Sequence, residues 1–179
     1  METETRDEKL GRAPLGKLMV SLAVPAVAAQ LINVLYNIVD RIYIGHIQGY
    51  GDVALTGVGV TFPIIMLISA FSAFAGMGGA PLASIELGKS NYSRAERILG
   101  NSAGLLVIFS VFLTVFFSIF KIPILYAFGA SDVTIVYAKE YISIYLIGTV
   151  FVQLALGLNT FISGQGAART AMLSVLIGA

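Results

Sequence analysis

Gln30, Asn33, Asn37 and Asp40 interrupt the first apolar stretch of the chain at steps of 3, 4 and 3 residues. That spacing puts all four on one face of a helix, with Tyr36 one turn before Asp40 at the edge of the same face. Asp40 carries the sharpest chemistry. An ionised carboxylate in hydrocarbon is costly, so it should bind a proton, bind a cation or pair with a base. A competing reading makes Asp40 a marker of the membrane surface. The 22 steps from Leu18 to Asp40 span about 33 Å of helix, already the thickness of a hydrocarbon core. Arg41 beside it would then snorkel outward. An interfacial residue leaves the stripe behind it unexplained, because a polar row facing lipid must instead face another helix or water. Gln30, Asn33 and Tyr36 are therefore expected to line a cavity.

A second polar row lies later in the chain, with Tyr137, Tyr141, Tyr145, Thr149 and Gln153 at steps of four. Its outer tyrosines suit the membrane interface, and Tyr145, Thr149 and Gln153 are expected to line the same cavity as the first stripe. Asn159 lies about 120° around the helix from Gln153; hydrogen bonding between helices suits it equally well. Pro25 and Pro63 each remove one backbone hydrogen bond and bend a helix, which makes them candidate hinges. The alternative around Pro63 is close packing through Gly57, Gly59, Gly76, Gly78 and Gly79. Phe71 and Phe74 face either an aromatic ligand or lipid. Glu86 reads as a solvated charge and His46 as a lone interfacial histidine. Ser93 and Glu96 fit a capping box that opens the third helix. Gly164-Gln165-Gly166 follows no strand and is no phosphate-binding fingerprint.

Composition sets the class. Of 179 residues, 57% are hydrophobic and 12% charged, half the charge of an ordinary soluble domain. A net charge of +1 argues against nucleic acid as a partner. With no cysteine and one histidine, disulfide scaffolds and the common zinc and haem sites drop out. An intramembrane enzyme, which needs a nucleophile with its base or a metal cluster, drops out with them, and no cofactor is expected. What remains is an all-α polytopic membrane protein whose partner is membrane lipid.

Four stretches reach the roughly 20 apolar residues that cross a bilayer, over about 18–44, 53–79, 99–120 and 141–162, behind a tail of residues 1–17. A fifth opens at Thr170 and meets the end of the sequence ten residues later, so the chain reads as four spans and a truncated fifth, a fragment expected to transport nothing alone. A signal peptide ending at Ala26-Val27-Ala28 is disfavoured, because the apolar stretch continues past it and the leader holds four acidic residues. Eight basic residues fall on the side of the N-terminus and three on the other, which places that terminus in the cytoplasm.

Taken in order, several features resemble the multidrug and toxic compound extrusion (MATE) family of secondary transporters, in its bacterial multidrug-efflux branch. They are Tyr36-Asn37-Ile38-Val39-Asp40, Gly45-His46, Ala54-Leu55 with Gly57 and Gly59, Pro63, Leu87-Gly88 and Arg94-Ala95. Gly129-Ala130-Ser131, and Asn159 followed by Gly164-Gln165-Gly166, complete the set. The likeness covers about residues 14–179. It implies that the chain is part of the N-terminal six-helix lobe of a twelve-helix transporter in a bacterial plasma membrane, with the missing C-terminal part of the same protein as its partner. It further implies an antiporter that expels amphipathic organic cations in exchange for H⁺ or Na⁺. Asp40 matches the family's span-one carboxylate and Asn159 an amide position in span four, so Asp40, Asn37 and Asn159 are the implied ion-binding residues. A lipid-linked saccharide flippase of the same superfamily is disfavoured by the lack of Lys or Arg in mid-span. A non-transporting four-span module is disfavoured by the span-one stripe.

Overall fold

Hydrocarbon offers no water to pair with backbone N–H and C=O groups, so a chain this apolar must satisfy them within itself. It does so with helices alone. The computed structural model describes residues 14–178. It comprises α1 (Leu15–Gly45), α2 (Gly51–Gly88), α3 (Tyr92–Ala127), α4 (Ile135–Gly164) and α5 (Ala168–Gly178). There is no strand among the described residues. Helices α1 to α4 are long and apolar enough to cross a membrane, and α5 is a shorter apolar helix. The basic residues Arg6, Lys9 and Arg12, counted above toward orientation, lie outside the described residues.

Each helix runs past the apolar stretch that announces it. Helix α2 has 38 residues, about 57 Å at the helical rise, against a hydrocarbon core of about 30 Å. Hydropathy marks only the part inside the lipid; the backbone ladder continues into the headgroup layers until a stop signal ends it. Three of the stops share one geometry. At the ends of α2, α3 and α4, Asn91 N–H bonds to Glu86 O, Ala130 N–H to Leu125 O and Ala167 N–H to Ile162 O, at 2.9, 2.9 and 3.2 Å. With each goes a second bond, from Ser90, Gly129 and Gly166, three residues back along the helix. This is the Schellman pattern, which needs a left-handed residue next to the cap. Gly129 and Gly166 take φ of 99° and 73°, and Ser90 takes 59° without glycine's freedom. Gly164-Gln165-Gly166 is thus a helix stop.

The N-terminus of α3 corrects the expected capping box. Asn91, not Ser93, is the cap, and its side-chain oxygen accepts from Arg94 N–H at 3.3 Å. Leaving the left-handed Ser90, the chain reaches helical geometry two residues earlier than Ser93 would allow, and asparagine is among the strongest N-caps.

Helices α2, α3 and α4 pack mutually around Ile64, Ile68, Leu113, Phe117, Leu125, Ile142 and Leu146. Small residues let the backbones approach. A Cβ placed on Gly57 would stand 2.9 Å from Thr134 O, one on Gly76 would stand 2.8 Å from Gly157 O, and one on Gly157 would stand 2.5 Å from Leu106 Cδ1. Such contacts are how helices associate where lipid removes the hydrophobic drive. Helices α1 and α2 run unbroken through Pro25 and Pro63. Phe71 stacks edge-on against Phe109 of α3 at 5.0 Å, with Phe74 at 6.2 Å from the same ring. Helix α1 stands to one side, resting mainly on α5 and on the outer end of α2.

These approaches predict a contrast between two glycines of one helix. Gly76→Ala should lower stability in detergent by about 1–3 kcal/mol through overpacking. Gly59→Ala, where a Cβ meets nothing within 4 Å, should be neutral or stabilise by up to about 1 kcal/mol. Thermal unfolding followed by circular dichroism separates them, and equal effects would refute the packing assignment.

Candidate functional site

The stripe on α1 is open over most of its length. Gln30, Asn33, Tyr36 and Asn37 are exposed and Asp40 is half-buried. Asn37 Nδ2 donates to Asn33 O at 2.8 Å and to Asn33 Oδ1 at 3.1 Å, so the two amides form one local unit along the helix. Asp40 has no hydrogen bond or ion pair among the described residues. Its neighbour Arg41 turns away, with its guanidinium 5.7 Å from the ring centroid of Phe62 on α2, a cation–π distance. The residue after Phe62 is Pro63. The base nearest in sequence to Asp40 is therefore occupied by an aromatic face, and the carboxylate is left to the open side.

Across from this end of α1 lies Tyr141 of α4, within electrostatic reach of the Asp40 carboxylate and the Arg41 guanidinium. Tyr145, one turn further along α4, lies beside Ser69 of α2. Tyr137 stacks on Tyr50 at 5.9 Å in the same outer region. The structure thus sets Asp40 and Tyr36 of α1 opposite Tyr141 of α4, with Tyr145 one turn further along α4.

Two residues expected to line that cavity do not face it. Thr149 and Gln153 are fully buried. Thr149 Oγ1 donates to the Tyr145 carbonyl at 3.2 Å within its own helix. Gln153 Nε2 donates to Ile68 O of α2 at 2.9 Å, and Ser72 Oγ returns a bond to Gln153 O at 3.0 Å. This seam ties α2 to α4, and Gln153 Oε1 is left inside it without a protein donor. A buried amide in a bundle is held by the carbonyl of a neighbouring helix, and the polar row of α4 turns inward below Tyr145 because α2 lies there.

Asn159 is likewise not brought to Asp40. It stands 18 residues beyond Tyr141, about 27 Å along the axis of α4. Its Nδ2 reaches Ala171 O of α5 at 3.3 Å and Ser174 Oγ at 3.5 Å, so it joins α4 to α5 at the opposite end of the bundle.

Glu86 departs from its expectation as a solvated charge. It is buried at the α2–α3 turn, where Lys89 Nζ lies 3.1 Å from Oε1 and Asn91 Nδ2 donates to Oε2 at 3.0 Å. Arg94 Nε stands 4.0 Å from Oε2. The backbone bond from Asn91 to Glu86 that closes the helix folds these groups over the carboxylate. The available signal was the placement of Lys89 and Asn91 three and five residues after Glu86. His46 Nδ1 sits 2.8 Å from Ile42 O in the last turn of α1, and among the described residues no group of His, Asp or Glu side chains could hold a metal.

Four spanning helices, one of them carrying a polar stripe and a carboxylate, define a multi-pass membrane protein. The sequence profile of the MatE family matches residues 25–179, and the chain belongs to that family, the MATE transporters. It is 25% identical over 174 residues to the multidrug export protein MepA of Staphylococcus haemolyticus, covering 96% of this chain and 38% of that protein. It is 22% identical to the FAD transporter of Shewanella oneidensis (93% of this chain, 36% of that protein). The probable multidrug resistance protein NorM of Thermotoga maritima is 24% identical (88% and 33%). The chain thus spans little more than a third of the length of these relatives, which are named as transport or resistance proteins. No solved structure matches it.

The different surroundings of the two polar rows predict different mutational outcomes. Gln153→Ala should cost about 2 kcal/mol or more of stability, from a lost interhelical bond and the cavity left behind. Asn33→Ala, on the open stripe, should stay within about 0.5 kcal/mol of the parent. Unfolding in detergent tests both, and a stability loss at Asn33 equal to that at Gln153 would show the stripe to be structural.

Proposed function

We propose that this chain supplies the ion-binding part of a secondary active antiporter that exports amphipathic organic cations in exchange for H⁺ or Na⁺. The observation that carries the reading is Asp40, a carboxylate within a spanning helix, without a partner among the described residues, at the outer end of a polar stripe. Membership of the MatE family and relatives named for multidrug export support the direction and class of cargo. In this reading Asp40 holds the coupling ion, and Asn37 and Tyr36 complete its hydrogen-bonding surroundings. Tyr141 and Tyr145 offer aromatic faces on the α4 side. Ion and cargo favour different packings of the lobe, and that difference couples their movements. The N-terminus lies in the cytoplasm of a bacterial cell.

An anionic cargo is the competing reading, because one relative is named an FAD transporter. The stripe argues for the cation. Its single charge is the negative Asp40, and Arg41 is engaged with Phe62.

The test is Asp40→Asn in the protein as its cell makes it, with drug accumulation followed as the H⁺ and Na⁺ gradients are collapsed in turn. Replacing a charged ligand by a neutral amide should reduce ion-driven efflux about tenfold or more, as expected for a charge-assisted bond worth roughly 1.5–3 kcal/mol. Efflux that keeps its full ion dependence would overturn the assignment. Export of flavin nucleotides but not of organic cations would favour the anionic reading.

A further inference from the structure

The opposite end of the bundle holds a polar groove at the start of α3, away from the stripe. It encloses about 540 Å³ and is lined by Asn91, Ser93, Arg94, Arg97, Ile98 and Asn101. Two guanidiniums and the Asn101 amide in one groove make it a surface for an anion with several acceptor oxygens. Arg94 is partly drawn toward Glu86 at 4.0 Å. Arg97 has no ion pair among the described residues and is exposed. The acidic neighbours leave Arg97 available. Glu86 is tied to Lys89 and Asn91, and Glu96 lies about 100° around the helix from Arg97.

Depth indicates which anion. Helix α3 has 36 residues, about 54 Å, so its first turns stand in the headgroup layer when its apolar middle fills the hydrocarbon. The same face then continues downward without a break. Asn101, Gly104, Ile108, Val111 and Val115 follow Arg97 at 4, 7, 11, 14 and 18 residues, all within about 40° of it around the helix. A Cβ on Gly104 would meet nothing within 4 Å, and Ile108, Val111 and Val115 are exposed large apolar residues. A charged groove thus opens onto a shallow trough at Gly104 and then onto an apolar track, the sequence of surfaces that a phosphate, a glycerol backbone and an acyl chain present in order.

We infer that this groove is a binding site for an anionic glycerophospholipid. Arg97 and Arg94 hold the headgroup phosphate, the amide of Asn101 meets ester oxygens, and one acyl chain lies along Gly104, Ile108 and Val111. A free phosphate would use the first part of this surface and leave the track unused.

The experiment is native mass spectrometry of the purified protein as its cell makes it, presented in detergent with equimolar phosphatidylglycerol and phosphatidylcholine. Phosphatidylglycerol adducts should predominate several-fold. Arg97→Gln should reduce the preference about fivefold, the effect of one basic residue at a charged membrane surface. Arg169→Gln, which removes a charge outside the groove, should leave it unchanged. Gly104→Leu, filling the trough without altering charge, should shorten adduct lifetime, a change that general electrostatics would not produce. Equal losses for Arg97→Gln and Arg169→Gln would overturn the proposal in favour of nonspecific attraction. Complete displacement of the lipid by millimolar inorganic phosphate would overturn it in favour of a free-anion site.

Discussion

In a bilayer every backbone polar group has to find its partner within the protein, and the architecture follows from that requirement. The demand makes each span a helix and carries the ladders of α2 and α3 well beyond the hydrocarbon. It also confines irregular backbone to short turns closed by their own hydrogen bonds. Once the backbone is satisfied, little is left to hold helices together except close fit and a few side-chain bonds. Both occur where α2, α3 and α4 meet. Glycines at 57, 76 and 157 admit neighbouring atoms to the helix surface, and Gln153, Ser72, Ser84 and Thr114 reach backbone carbonyls of other helices. Neither device fastens α1 to α4.

Among the described residues α2, α3 and α4 form a tight triplet, and the candidate chemistry sits on α1 beside it. Asp40 lies on α1 opposite Tyr141 of the triplet, and the Asn33–Asn37 pair lies further along the same face of α1. The cation–π contact between Arg41 and Phe62 is a side-chain tie from α1 to α2, and Asp40 has no ion pair among the described residues.

The all-helical class, the spans and the stripe were legible because each depends on counting along one helix. Asp40 stood out for the same reason. What could not be read depends on which helices touch. Tyr145 and Gln153 share one polar row on α4, yet Gln153 is buried because α2 passes beside it, a fact carried by no local pattern. Glu86 looked solvated because its burial requires a turn closed through Ser90, a residue type that seldom takes a left-handed conformation. The capping error has the same root, since placing the cap at Asn91 depends on how α2 ends. The separation of Asn159 from Asp40 was available by counting residues along α4 once the direction of each span was set.

Helix α1 is supported in two places. At 31 residues it is about 46 Å long. The loop to α2 and the Arg41–Phe62 contact hold its outer end, and α5, whose eleven residues cover about 16 Å, lies at the Asn159 level toward the other. Between these supports lies the middle of the helix. Gln30 stands at that point, with Asn33 next to it. The polar stripe therefore starts at mid-helix and ends at Asp40, beside the anchored end, so the carboxylate is the member of the stripe whose position is best fixed.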